Sequence, residues 1–360
     1  MKKFKAYLIS IMVLVVFSVG WRVPWTITSP GLTEPINMTL QDTLLLVSDP
    51  STGIHIYDIG NPLTPEFVMN IPLRGNRGTA IRDDIVYANV YGSLLVIRLK
   101  GNSYEVIKTI NEVEPIYDCV VMDDRGGMWG CACSRQSEYS PASPSSGVGS
   151  SYATFAVIGS FLYYLDYSSI VTMDISTPED PTEVSRTRVD WSVETLFPTE
   201  DYLFVGGTRG MYIYDRSNPK FPVEIGRVEH FEGCDPVVVS GTVAFVTLRG
   251  GNACGETRDV LLSVNIEDPH DPVVIGEKPI KTPYGLTVDD VLLYVGKGRS
   301  GFELFNVAAP GNPSSIGAWS DWAAKDFIWR DGLLIAMGFR DVRLYDVSTP
   351  AEPILLSHID

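Results

Sequence analysis

Hydrophobic and polar positions in this chain fall into short runs that alternate or stay apolar for about four to eight residues, the signature of half-buried or fully buried strands. Gly, Asp, Asn and Pro close these runs. One order recurs: a strand, a turn, an alternating strand ending in Asp, a Pro-containing turn, a final strand. It is clearest as Leu44-Leu45-Leu46-Val47, then Gly53-Ile54-His55-Ile56-Tyr57-Asp58, then Asn61-Pro62 and Pro65-Glu66-Phe67-Val68. It returns as Tyr202-Leu203-Phe204-Val205 with Gly210-Met211-Tyr212-Ile213-Tyr214-Asp215 and Asn218-Pro219, and as Leu333-Leu334-Ile335-Ala336 with Val342-Arg343-Leu344-Tyr345-Asp346 and Thr349-Pro350.

Two registers measure the repeat. The end of the third strand falls at Asp58, Arg98, Asp174, Asp215, Asn265, Asn306 and Asp346, at intervals of 40, 76, 41, 50, 41 and 40 residues. The residue opening the first strand falls at Asn37, Thr79, Asp118, Thr154, Glu194, Asp235, Gly285 and Asp326, with no gap above 50. The second series has eight members, because the long interval of the first splits at Asp118. That third unit keeps two strands, 119–122 and 128–133, and then runs into a Ser-, Pro- and Gly-rich tract, 134–150, which reads as a long loop.

A four-stranded sheet of about forty residues cannot cover both its faces, whereas like neighbours stacked around an axis can, and closing the stack removes its ends. The expected fold is therefore an all-β propeller of four-stranded blades over residues 36–360. Eight blades are favoured, one of them degenerate, with seven as the alternative; an open stack or a sandwich of two sheets is the competing architecture. The Pro residues after the third strands end a ladder through their fixed φ and missing N–H.

These residues carry a resemblance. Ile56-Tyr57-Asp58-Ile59-Gly60-Asn61-Pro62, Val171-Thr172-Met173-Asp174-Ile175-Ser176-Thr177-Pro178, Ile213-Tyr214-Asp215-Arg216-Ser217-Asn218-Pro219 and Leu344-Tyr345-Asp346-Val347-Ser348-Thr349-Pro350 resemble the LVIVD repeat, a propeller-blade repeat of bacterial and archaeal secreted or surface proteins. The second unit departs from it, with Arg98-Leu99-Lys100-Gly101, and the third lacks it. The resemblance implies fold and location; it implies no catalytic residue.

Composition adds the compartment. Lys2, Lys3 and Lys5 precede an apolar run, 6–19, that ends in Ser18-Val19-Gly20, the pattern of a signal peptide or, if uncleaved, an N-terminal anchor, followed by a leader at 21–35. The expected location is periplasmic, cell-surface or extracellular, with a membrane met only through that first segment, and the chain is expected to be a monomer. The formal charge is −16, from 28 basic and 44 acidic residues, with no basic patch, which argues against nucleic acid as a partner. Five cysteines are too few to frame a chain this long. Cys119 with Cys131, flanking a turn, and Cys234 with Cys254 are the candidate disulfides.

Candidate chemistry is sparse. His55, His230, His270 and His358 have no partner at metal-binding spacing, no Gly-x-Ser-x-Gly elbow occurs, and Gly250-Gly251-Asn252-Ala253-Cys254-Gly255 lacks the Lys-Ser/Thr of a phosphate loop. The most informative set comes from register. Asp118, Glu194, Asp235 and Asp326 open four units, with Tyr284 and Gly285 in a fifth, and first strands line a propeller's channel. These acids either cap backbone N–H groups at strand starts or gather as a Ca²⁺-like oxygen site. Aromatics crowd nearby: Tyr117, Trp191, and Trp319, Trp322, Phe327 and Trp329, which either plug gaps between blades or bind a protein or glycan. Two functions follow: a non-catalytic extracytoplasmic binding or scaffold module that holds a protein, glycan or cation at its channel-mouth loops, or a hydrolase or lyase with an acidic, metal-assisted site there.

Overall fold

The computed structural model describes residues 29–111, 120–122, 128–130, 148–190, 192–229, 236–250 and 258–360. Among them, seven four-stranded antiparallel sheets stand as blades in a ring, spanning 37–71, 76–111, 155–188, 193–229, 237–279, 286–319 and 326–359. Each blade is a meander of consecutive strands. The first strands touch those of the neighbouring blades all the way round, blade 7 against blade 1 included, so they line the axis and the fourth strands form the rim.

The sequence pattern maps onto this directly. In blade 4 the second and third strands, Tyr202–Gly207 and Gly210–Asp215, are buried on both faces, whereas the fourth, Val223–Glu229, alternates with solvent. Seven apolar clusters make up the core, and each is drawn from two adjacent blades. A blade's stability therefore resides in its neighbours, as the repeat requires. Tyrosines on the second strands reinforce the stacking: the Tyr87 hydroxyl donates to the Pro178 carbonyl at 2.9 Å, and the Tyr163 hydroxyl to the Pro219 carbonyl at 2.7 Å, each on the next blade's Pro turn.

The repeat's Asp is a turn device. Asp58, Asp174, Asp215 and Asp346 each accept the backbone N–H two residues on, at 2.8–2.9 Å, as do Asn265 and Asn306. This side-chain bond folds the backbone into the Pro turn that leads to the fourth strand. Blade 2 lacks it: Arg98 instead reaches Glu179 on blade 3, at 2.6 Å, and the chain reverses tightly through Gly101 at φ 59°.

The count is seven, not the favoured eight. Strands Val120–Met122 and Met128–Gly130 do pair, but as a two-stranded sheet of their own. The first strand of blade 2 lies directly against that of blade 3, so closely that a Cβ on Gly78 would stand 2.3 Å from Thr154 Oγ1. The physical reason is that a blade needs a third and a fourth strand for its neighbours to cover, and the sequence of the Ser-, Pro- and Gly-rich tract 134–150 holds no apolar alternating run to build them. The last residues of that tract, Val148–Gly149, pair instead with the inner edge of blade 1, Thr39 opposite Gly149 and Leu40 opposite Val148.

The ring closes without exchanging strands, since blade 1 and blade 7 are each built from one contiguous stretch. Thirteen buried residues pack across this seam, among them Met38, Leu40, Val47, Ile328, Met337 and Leu344. The Ser357 hydroxyl donates to the Pro62 carbonyl at 2.5 Å and Lys325 Nζ to the Pro35 carbonyl at 3.1 Å. At roughly 1.5–3 kcal/mol per fully buried large apolar side chain, against about 1 kcal/mol for a net hydrogen bond, apolar contact is the larger part of the closure.

Candidate functional site at the channel mouth

The channel is occupied by the chain itself. After pairing with blade 1, residues 150–154 cross the axis before the chain begins blade 3. The Ser150 amide donates to the Met38 carbonyl of blade 1 at 3.4 Å. The hydroxyls of Ser150 and Ser151 and the amides of Ser151 and Tyr152 all donate to the Asp326 carboxylate of blade 7. Ser151 Oγ in turn accepts the Leu286 amide of blade 6 at 2.8 Å, the Ala153 carbonyl accepts the Leu196 amide of blade 4 at 2.6 Å, and Thr154 Oγ1 donates to the Arg77 carbonyl of blade 2 at 3.4 Å.

Asp326 is thus the knot of the plug. Its carboxyl is wholly buried, and burial pushes its pKa up to about 6, with the donations from Ser150, Phe327, Ser151 and Tyr152 pulling the other way. Asp326 opens the first strand of blade 7, and its oxygens are taken up by the protein's own donors. Of the other acids expected beside it, Glu194 lines a cleft between blades 2, 3 and 4, while Asp118 and Asp235 lie outside the described residues. No group of three or more His, Cys, Asp or Glu among the described residues is placed to hold a metal ion.

The cleft, of about 100 Å³, opens where the second-to-third-strand turns of blades 2 and 3 meet the start of blade 4. Its polar wall is Arg77 and Asn89 from blade 2, Asp166 from blade 3, and Ser192 and Glu194 at the start of blade 4; its aromatic wall is Tyr167. The Arg77 guanidinium lies over the Tyr167 ring, 5.3 Å from its centroid, and Arg186 Nη1 holds Asp166 at 2.5 Å. The Tyr167 carbonyl accepts the Val193 amide at 2.9 Å, which ties this turn to blade 4. Tyr167 has φ 40° and is 47% exposed. Tyr91, in the matching turn of blade 2, has φ 51°, is 76% exposed and lies against Gly75, where a Cβ would stand 2.2 Å from its ring.

The remaining expected residues sit elsewhere. Tyr284 is covered by Arg249, whose guanidinium is 4.1 Å from its ring centre, and meets Phe339 edge-on at 5.9 Å. Trp322 donates its indole N–H to Asp341 at 2.7 Å beneath the Arg343 guanidinium. Trp319 stacks on Phe302 at 5.0 Å, and Phe327 is buried in the seam between blades 6 and 7. His55 is buried on a blade face, 2.7 Å from Thr52 Oγ1, and its pKa is lowered by that burial. Tyr117, Trp191 and all five cysteines lie outside the described residues, and with them both candidate disulfides. Arg77, Asn89, Asp166 and Tyr167 were missed in the sequence. The available signal was the pair Tyr91 and Tyr167, aromatics in the short second-to-third-strand turns of two neighbouring units.

Comparison with known proteins supports the architecture. A family model described as LVIVD repeat matches residues 198–230, the body of blade 4. No curated protein matches the sequence. Among solved structures, a protein from Lactobacillus plantarum superposes with a TM-score of 0.62 at 16% identity, covering 91% of this chain and 96% of that one. The periplasmic gluconolactonase PpgL of Pseudomonas aeruginosa gives 0.61 at 11% identity, over 90% and 96%. BamB from Moraxella catarrhalis gives 0.54 at 12%, over 82% and 79%. Identities this low carry the fold alone.

Proposed function

From the LVIVD repeat matched at residues 198–230, the seven-bladed ring and the filled channel, we propose that this chain is a non-catalytic binding module that takes its ligand in the cleft between blades 2, 3 and 4. The observation that carries this reading is Tyr167: an exposed aromatic ring at positive φ, facing a concave polar wall, in a molecule whose axial channel is taken up by its own residues 150–154. A rigid ring that presents its turns at one mouth is a scaffold for recognition rather than evidence of a reaction. The lysines and apolar run of residues 1–20 support an extracytoplasmic place of work.

A second reading, hydrolase or lyase, draws on the two carboxylates, Asp166 and Glu194, that line the same cleft. It is the weaker one, because Asp166 is engaged by Arg186 and the acids with raised pKa values, Asp326 in the plug and Asp289 on blade 6, lie outside the cleft lining. The experiment is thermal denaturation and calorimetry of the full chain against oligosaccharides, peptides, a sugar lactone, a short-chain ester and CaCl₂, with each organic additive analysed afterwards for conversion. Binding predicts a saturable rise in Tm that Tyr167→Ala removes, with the additive recovered unchanged. Consumption of a lactone, ester or glycoside, lost in Glu194→Gln, would establish the enzyme instead.

A further inference from the structure

Seven non-glycine residues in the described structure hold positive φ, and four of them, Asp42, Asp83, Asp290 and Asp331, are aspartates in first-to-second-strand turns. Aspartate tolerates this region because its short side chain can bond locally. Tyrosine does not: a bulky residue there is strained by about 1 kcal/mol or more, a strain that persists only where something offsets it. Neither residue is buried in the core: Tyr91 is 76% and Tyr167 47% exposed, Tyr91 lying against Gly75 and Tyr167 beneath the Arg77 guanidinium. Asn or Gly would close either turn at less cost. The fold therefore does not require aromatic rings at these two adjacent turns, and Tyr167 presents its ring to the cleft.

Resting on the binding-module reading above, we infer that the ligand is a neutral saccharide, one sugar ring of which packs against the part of Tyr167 that Arg77 leaves exposed while its hydroxyls bond to Asn89, Glu194 and Arg77. Three features of the cleft select that class. Its volume, about 100 Å³, is on the scale of a single ring, whereas a protein partner would need about 800 Å² of its own surface covered. An aromatic face beside side chains that both donate and accept matches a molecule with an apolar C–H face and a rim of hydroxyls. Arg77 is the one cation among the lining residues, set against two carboxylates in a chain of net charge −16, so an anionic sugar polymer is repelled.

The test uses the full chain and calorimetric titration with soluble oligomers of glucose, mannose and N-acetylglucosamine, and with polygalacturonate as the anionic control. Tyr167→Asn keeps a residue suited to the turn and removes the ring; Tyr167→Phe keeps the ring. The expected result is that at least one neutral oligomer binds, that Tyr167→Asn weakens it by about tenfold or more while raising or leaving unchanged the Tm, and that Tyr167→Phe stays within about threefold. A Tyr167-dependent response to a peptide, to Ca²⁺ or to polygalacturonate, with no neutral oligomer bound, would overturn the saccharide and leave the binding module standing. Binding of any of these probes untouched by Tyr167→Asn, or of none, would remove both.

Discussion

Blade 4 and the stretch between blades 2 and 3 begin alike and end in different places. Residues 193–229 and 112–154 are of similar length, and each includes two paired antiparallel strands. Blade 4 then supplies Gly210–Asp215, the Asp215 bond to the Ser217 amide, the Asn218-Pro219 turn and a fourth strand. Its neighbours bury it on both sides. The other stretch supplies a two-stranded sheet, then Val148–Gly149 along blade 1 and a run of small donors that Asp326 collects. A period of about forty residues is thus not enough to make a blade; the third and fourth strands, present even in blade 2 where the Asx-Pro turn is missing, are what a neighbour covers.

The comparison can be broken at its ends. Removing residues 193–229 should abolish cooperative unfolding, because two neighbouring blades would each lose the face that covers them. Replacing residues 119–131 by a short Gly-Ser linker should leave the unfolding transition in place. A linker variant as damaged as the blade deletion would mean that the 120–130 sheet is a blade in energetic terms.

The plug comes next. Asp326→Ala leaves the donors of Ser150, Ser151, Tyr152 and Phe327 without their buried acceptor and should destabilise the protein by roughly 3–5 kcal/mol in urea titration. Loss of less than about 1 kcal/mol would show that the donors find other partners.

The same carboxyl sets a pH signature. Its folded pKa, pushed up to about 6, lies above the ordinary carboxylate value near 4, so the folded state holds the proton more tightly than the unfolded chain does. Asp326 therefore contributes stability that is fully present below about pH 4 and is lost as pH rises through about 6, worth roughly 2–3 kcal/mol over that window. The advantage of the wild type over Asp326→Asn should shrink between those limits. An advantage that grows with pH would contradict the buried setting. Exposed acids such as Asp174, Asp215 and Asp346 work the opposite way: hydrogen bonds from Ser176, Ser217 and Ser348 lower their pKa values, so their contributions are lost as pH falls through those lowered values.

The smallest effect concerns the staples between blades. Tyr163→Phe removes the hydroxyl that reaches Pro219 and should cost about 0.5–1.5 kcal/mol in the same titration. No change would place the stacking energy wholly in the apolar clusters.

Much of the ring was legible because its cause is local. Asp or Asn followed by a Pro turn specifies a reversal within five residues, and apolar second and third strands specify two buried faces, so the blades from 155 onward follow from the chain alone. The blade count was not legible, since the opening register at Asp118 continues through a stretch whose fate depends on having, or lacking, a third strand to stack. Asp326 shows the same divide: its place at the opening of a first strand follows from register, but its partners come from a Ser-Gly tract 174–176 residues away whose composition reads as a loop. Register put Glu194 only at the start of blade 4; that it lines a cleft with Tyr167 and Arg77 did not follow, because this is a contact between turns of neighbouring blades and leaves no spacing in the sequence.

Hydrogen exchange across residues 148–154 is the most direct measurement. With the Ser150, Ser151 and Tyr152 amides bonded in the channel, a peptide covering this stretch should exchange as slowly as one from the second strand of blade 4, Tyr202–Gly207. Exchange as fast as that of an exposed turn would mean that the segment is not held in the channel, and the ring would have to close without it.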